Sequence, residues 1–315
     1  MTTTVRTSSL LAISDLTVRF RLPDATVHAV TGIDVTVAPG ELLAVVGESG
    51  CGKSVLAHAL LGLLPANAAV TGTALLHGDG APIDLLTADD KILARSVRGR
   101  RIGLVPQSPA TALTPVRTGR RLLEETLRAH GRPRAEADTV AAGVGLTPAD
   151  LDLYPHELSG GMAQRLATAL ALAPDPPLLL ADEPTSGLDR PLVDATLDVL
   201  RQRCDNGAAV ILITHDLAAA QRVADSVAVM YASRIVEHRP AAGFFAGPRH
   251  PYAHALLDAL PDRAFAPIPG HPPMLTALPA GCAFAPRCPH AADDCGIQPG
   301  LHPDVACHHP IGDRP

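Results

Sequence analysis

The sequence predicts an α/β fold: a mixed sheet core, an antiparallel β subdomain, a helical subdomain and a small cysteine-rich C-terminal extension. Three observations carry that prediction. Four short runs, "ELLAVVG" from Glu41, "IGLVP" from Ile102, "PLLLADE" from Pro177 and "AVILITHD" from Ala209, are apolar almost throughout, as strands are when a largely parallel sheet is covered on both faces. Alternating "LAISDLTVRF" (Leu11 to Phe20) and "AVTGIDVTV" (Ala29 to Val37) read as antiparallel, half-buried strands. Between Ser108 and about Ala173 the period turns helical, with Leu122, Leu123 and Leu127 on one face and Glu124, Glu125 and Arg128 on the other.

In chain order, "MTTTVRTSS" carries one Arg and no apolar run, so residues 1–9 are expected to be a disordered tail, without a signal peptide, on a chain that stays in the cytosol. Pro39-Gly40 marks a turn before the first buried strand. The longest mainly apolar window, from Leu56, is interrupted by His58, Pro65 and Asn67, which argues against a membrane span; work at a membrane would need other chains to cross it. "SVAVMYASRIVEH" from Ser226 reads as a hairpin turning near Ala232-Ser233, and "HPYAHALLDALP" as a short helix ended by Pro261. Beyond that the composition shifts to Pro, Gly, His and Cys. The division expected is a main domain, 10–262, with a helical part at about 108–173, followed by an extension at 263–315. The 26 basic residues are scattered among 32 acidic ones in 315, for a net charge of −6, so nucleic acid is not an expected partner.

The chemistry centres on "GESGCGKS", Gly47 to Ser54, which follows an apolar strand and precedes the helical run "VLAHALLGLL". That is the context of a phosphate-binding loop. Its glycines let backbone N–H groups converge on phosphates, Lys53 neutralises the β and γ charges, Ser54 is placed to ligate Mg²⁺, and the helix aims its positive end inward. "LLLADEPTSGLD" supplies the acids that such a site needs: Asp182 for the metal and Glu183 beside it as general base for a water attacking the γ-phosphate. "YPHELSGGMAQR", Tyr154 to Arg165, opens an Ala-rich helix that Pro174 terminates.

In this order the motifs resemble those of the ATP-binding cassette subunits of ABC transporters. "GESGCGKS" is similar to Walker A, "VPQS" to the Q-loop, "LSGGMAQR" to the signature, "ADEP" to Walker B, "SGLD" to the D-loop and "ITHD" to the H-loop. The resemblance implies that Gly47, Glu48, Ser49, Gly50, Cys51, Gly52, Lys53 and Ser54 cradle ATP. It implies that Ser54, Gln107 and Asp182 face Mg²⁺, that Glu183 is the base, and that His215 holds the γ-phosphate and Glu183. Ser159, Gly160, Gly161 and Gln164 of the signature, with Asp189 of the D-loop, would serve the nucleotide on a second cassette, two cassettes sandwiching two ATP head to tail. Adenine stacking is expected from the first sheet, with Phe20 the nearest candidate and a core role for it equally open. "SPATALTP" after Gln107 departs from the family's usual pattern where a permease would dock.

The stretch from "VMYASRIVE" through "GPRHPYAHALLDALP" to "LPAGCAFAPRCPHAADDC" resembles the C-terminal extension of the oligopeptide, dipeptide and nickel import branch. This implies an ATP-hydrolysing subunit powering di- or oligopeptide uptake, peripheral on the cytoplasmic face of the cell membrane. It would work with a second ATPase subunit (a paralogue or a copy of itself), two transmembrane permease subunits and an extracytoplasmic substrate-binding protein. Nickel or metal-chelate uptake on the same fold is the alternative, followed by a soluble, non-transport ATPase of the same class.

Cys282, Cys288, Cys295 and Cys307 stand in C-x5-C-x6-C-x11-C spacing, in a Pro-rich segment with few apolar residues of its own. Disulfides are disfavoured in a reducing cytosol, and structural zinc sites favour closer Cys pairs. Four separated thiolates can wrap a 4Fe-4S cluster, as some members of the resembled branch do; zinc, helped by His302, His308 or His309, and unliganded thiols stay open as alternatives. No motif connects these thiols to the nucleotide, so a structural or assembly role is expected. The Cys51 and Cys204 thiols receive no role.

Overall fold

The computed structural model describes residues 9–78 and 80–312, so the expected N-terminal tail lies almost wholly outside the described residues. The strands are β1 Leu11–Arg21, β2 Thr26–Val37, β3 Leu42–Val46, β4 Ala68–Leu76, β5 Ile83–Asp84, β6 Ile102–Val105, β7 Leu178–Asp182, β8 Ala209–Thr214, β9 Ser226–Tyr231 and β10 Arg234–Pro240. The helices are α1 Lys53–Leu60, α2 Asp90–Ile92, α3 Pro109–Ala112, α4 Gly119–Ala129, α5 Ala137–Gly143, α6 Pro148–Leu151, α7 Gly160–Leu172, α8 Arg190–Asp205, α9 Leu217–Val223, α10 Ala241–Ala246 and α11 Pro251–Asp258. Two compact units emerge, neither continuous in sequence: one mainly from Ala38–Leu42 and Ala88–Ile213, the other from Leu11–Val37, Leu43–Thr87 and the chain from Thr214 onward.

In the first unit β6, β7 and β8 run parallel, with Ile102 opposite Leu178 and Leu178 opposite Ala209. Every residue of β7 and β8 is buried, which is why those runs carry no polar alternation. Helix α7 lies close against β6: a methyl on Gly103 would stand 2.7 Å from the Ala171 carbonyl oxygen. Helices α4 to α7 enclose an apolar cluster that includes Leu113, Leu123, Leu127, Val144, Leu151 and Leu166. Their ends are set locally. Thr118 caps α4, Thr147 and Asp150 form a reciprocal capping box at α6, and Ser159 caps α7. Arg120 joins three segments by ion pairs to Asp138 at 2.8 Å and Asp152 at 2.7 Å.

The second unit contains an antiparallel sheet in the order β2-β1-β4-β5, and a mixed arrangement in which β9 is parallel to β3 and antiparallel to β10. The β9–β10 turn falls at Ala232 (φ 45°) and Ser233 (φ 72°), two successive positive φ values that suit the twist of a tight hairpin. Strand β4 pairs with β1 along its length, from Leu11 opposite Leu76 to Phe20 opposite Ala68, although in sequence it is only the end of the broken apolar window that starts at Leu56. The pairing is irregular between Ser14 and Thr17, where Asp15 (φ 49°) and Gly72 (φ 98°) face each other closely. Such a bulge interrupts the two-residue period by which a strand is recognised.

Residues beyond α11 have little regular structure, yet they are tied down. Ala306 N–H donates to the Val236 carbonyl and His238 N–H to the Asp304 carbonyl, both at 2.8 Å. His28 N–H donates to the Leu275 carbonyl at 2.8 Å. Phe284 is fully buried among Tyr231, Tyr252, Phe244 and Val229, with Ile268, Leu278, Cys282 and Cys288 packed against the same cluster. No described helix is long and apolar enough to cross a membrane.

Candidate nucleotide site and cysteine cleft

The residues singled out from the sequence fall in both units. Gly47 to Ser54, His215 and the four tail cysteines belong to one; Gln107, Ser159, Gly160, Gly161, Gln164, Asp182, Glu183 and Asp189 belong to the other.

Strand β3 ends at Val46 and α1 starts at Lys53, so the six residues between must turn within a short span. Gly47, Gly50 and Gly52 have φ of 151°, 80° and 110°, values open to glycine but strained for other residues. At two of them space is also lacking: an added methyl would lie 2.1 Å from the Met230 carbonyl oxygen at Gly47, and 2.0 Å from that of Ala29 at Gly52. Lys53 is buried, and its ammonium donates to the carbonyls of Gly47 at 2.8 Å and Glu48 at 3.1 Å. A buried cation folded back on a glycine loop at a helix N-terminus suits a polyanion. Burial pushes the Cys51 thiol up, Lys53 opposing. His215 is exposed beside Asp216, whose carboxylate caps α9 by accepting from Ala219 N–H at 3.0 Å.

In the other unit Asp182 closes β7 and is buried. Glu183 follows with φ 48°, a left-handed conformation uncommon for a non-glycine residue and of the kind that collects at functional sites; its N–H donates to the Ile213 carbonyl at 2.9 Å. Gln107 is exposed just past β6. Ser159 Oγ accepts from Met162 N–H at 3.2 Å, leaving the start of α7 exposed at Gly160. Gly161 allows α7 to pass α8, since a methyl there would stand 2.7 Å from Leu192 Cδ1. Gln164 is buried, its Nε2 without a partner among the described residues. Asp189 caps α8, accepting from Leu192 N–H at 3.2 Å.

The tail brings Cys282, Cys288, Cys295 and Cys307 around one cleft, with His250, His290, His308 and His309 also on its walls. Gly281 permits the close approach, its Cα being so near the Cys295–Gly296 backbone that a methyl would lie 2.3 Å from the Cys295 carbonyl oxygen. The six described cysteines are all free thiols. Burial raises the Cys282 and Cys288 thiols and pushes Cys307 up to about 11, the other tail thiols adding to the rise. Backbone N–H groups of His290 and His309 reach Cys288 Sγ at 3.4 Å and Cys307 Sγ at 3.3 Å. His250 is buried, which pushes it down to about 3. Its Nδ1 accepts from Tyr252 N–H at 3.0 Å, and its Nε2 has no partner among the described residues. Four thiols gathered on one cleft beside an orphaned imidazole nitrogen make a donor set that fits a cationic metal group. Cys295 and His309 of this cleft also meet exposed Asp294, one ligand atom of each lying within 4.8 Å of the others.

Sequence reasoning missed four residues that matter here: Tyr231, His250, Tyr252 and Arg287. The tail and the phosphate loop are joined by a contact that no motif announces: Arg287, next to Cys288, pairs with Glu48 at 2.9 Å. The neighbouring cysteines point to the segment but not to that reach.

A buried parallel strand that opens through a glycine loop into a helix beginning at a buried lysine defines a P-loop nucleotide-binding fold. The family profile described as "ABC transporter" matches residues 30–186, and that described as "Oligopeptide/dipeptide transporter, C-terminal region" matches residues 236–295. The chain belongs to the ABC transporter ATP-binding family, in its oligopeptide/dipeptide branch. It is 43% identical over 318 aligned positions to the oligopeptide transport ATP-binding protein OppD of Mycobacterium tuberculosis, covering 96% of this chain and 51% of that one. The chain thus spans about half the length of that relative. The OppD of Salmonella typhimurium is 40% identical over 305 positions, covering 93% of this chain and 90% of the other. Among solved structures, cbiO1 from Clostridium perfringens, part of the ABC transporter complex cbiONQ, matches with TM-score 0.62 and 29% identity over 76% of this chain and 91% of that one. The dimeric cassette MJ0796 bound to ADP and Pi shares the fold at TM-score 0.65 and 24% identity, over 73% of this chain and 98% of that one.

Proposed function

We propose that this chain is the ATP-hydrolysing subunit of an importer of di- and oligopeptides. The observation that carries the reading is the full set of ordered motifs, Gly47 to Asp216, on a chain whose C-terminal region matches that of oligopeptide/dipeptide transporters. Gly47 to Ser54 hold the phosphates, with Lys53 neutralising them. By the family resemblance, Ser54, Gln107 and Asp182 would hold Mg²⁺, which would screen the phosphate charge. Glu183 takes the proton of the attacking water and His215 steadies the γ-phosphate. Ser159, Gly160, Gly161, Gln164 and Asp189 serve the nucleotide of a second cassette, so that ATP favours the closed pair and hydrolysis releases it. The chain is peripheral on the cytoplasmic face of the membrane, docked on two permease subunits that receive peptide from an extracytoplasmic binding protein.

Glu183→Gln tests the chemistry. ATP binding should persist while turnover falls by at least about a hundredfold and a closed dimer accumulates; undiminished turnover would remove Glu183 from the role of base.

For the tail, the four thiols around one cleft support a 4Fe-4S cluster held by Cys282, Cys288, Cys295 and Cys307. The Asp294, Cys295 and His309 grouping favours a second reading, a single zinc ion. Anaerobic purification followed by iron, sulfide and zinc analysis separates them: iron with matching sulfide supports the cluster, and stoichiometric zinc without colour the second reading.

A further inference from the structure

Arg287 sits on the short turn between Cys282 and Cys288, and its side chain leaves the tail for the phosphate loop. Nη1 and Nη2 donate to Glu48 Oε2 at 2.9 Å and Oε1 at 3.1 Å, a fork meeting a fork. Nε donates to the Pro269 carbonyl at 2.8 Å, and Nη1 also to Tyr231 Oη at 3.2 Å. The guanidinium lies 5.8 Å from the ring centres of both Tyr231 and Phe284. The Arg287 side chain is 5% exposed; burial opposes its charge, and the bonds to Glu48 and Tyr231 outweigh that.

Glu48 is gripped at its backbone too. Its N–H donates to Tyr252 Oη at 2.9 Å, and its carbonyl accepts from Lys53 Nζ at 3.1 Å. One of the two carbonyls on which the Lys53 ammonium rests, the other being that of Gly47, therefore belongs to a residue anchored by Arg287 and Tyr252. Burying an ion pair contributes little net stability compared with apolar residues of the same volume, whereas a bidentate pair fixes geometry. Its placement on the second residue of a phosphate loop is thus a matter of position.

We propose that Arg287 is a positioning residue for nucleotide binding: by holding Glu48 it sets the phosphate loop and Lys53, so that the cysteine-bearing tail governs the affinity for Mg-ATP. This rests on the ATPase reading above. The test uses the full chain and follows Mg-ATP affinity by calorimetry, with KM and kcat measured separately. R287M should raise Kd and KM about tenfold while kcat at saturating ATP stays within about twofold, and R287K, which returns the charge without the fork, should fall between. Should R287M fail to fold, the double variant E48Q/R287M decides, because it leaves no buried charge unpaired; raised KM in the folded double variant supports the proposal. Wild-type Kd and KM in the folded R287M or double variant, with K53A having lost binding, overturn the inference alone. A wild-type chain that binds Mg-ATP no better than K53A overturns the ATPase reading and this inference with it.

Discussion

Residues 47–52 and residues 281–309 are both largely irregular backbone in the same unit, and they are shaped by different means. The loop takes its turns from within: three glycines at positive φ bend the chain, two of them pressed against neighbouring carbonyls, and Lys53 bonds back to the loop itself, while Arg287 and Tyr252 hold it from outside at Glu48 alone. The tail is shaped from outside, through Phe284 in the aromatic cluster, Arg287 on Glu48 and backbone bonds to β10. A segment of the first kind announces itself in a few consecutive letters. One of the second kind depends on partners far along the chain.

The sharpest way to separate the two is Lys53→Ala, which removes the proposed phosphate partner without touching the tail. Turnover should fall by about a hundred- to a thousandfold, while the metal content of the tail stays at its wild-type value. A parallel loss of metal would show the regions to be one cooperative element. On the metal-bound reading proposed for the tail, the reciprocal change, Cys282→Ser with Cys295→Ser, should strip most of the metal and lower the melting temperature, read by elemental analysis and calorimetry. Full metal occupancy in that variant would mean these thiols hold nothing.

Glu237 probes the tail's outside support. Its carboxylate is fully buried, and accepts from Arg249 N–H at 2.9 and 3.0 Å and from His250 N–H at 2.7 Å. Glu237→Ala should cost about 3 kcal/mol in urea unfolding, because the buried His250 N–H and the part-buried Arg249 N–H lose their acceptor. A loss below about 1 kcal/mol would show that those groups find other partners. The smallest effect is expected inside the loop at Gly50, where φ is 80° but a methyl meets nothing within 4 Å. Gly50→Ala should cost about 1 kcal/mol of backbone strain, clearly less than Gly52→Ala, whose methyl would strike the Ala29 carbonyl. Equal costs at the two positions would break the argument from space.

What was legible follows the same division. The buried runs of β3, β7 and β8, the antiparallel pair β1 and β2, and the turn at Ala232-Ser233 could be read because each depends on neighbours in sequence. Strand β4 escaped, since the Asp15–Gly72 bulge breaks its period. The motif letters from Gly47 to Asp189 named the candidate residues, but not the left-handed backbone of Glu183 or the buried, unpartnered amide of Gln164. Arg287 is separated by 239 residues from the carboxylate it grips, and nothing in "APRC" carries that information. Likewise His250 looks like one more histidine before a proline until its ring is found on the wall of the thiol cleft.

The backbone bonds of Asp304 and Ala306 to β10 have a consequence for solubility. Strand β10 is the last of its sheet on that side, and an uncovered outer strand is a template on which other chains pair. Residues 304–306 cover it as a short stretch of added strand, shielding the margin from self-association. A chain shortened before residue 300 would lose that shield, and light scattering on concentrated samples should register aggregates that the full chain does not form.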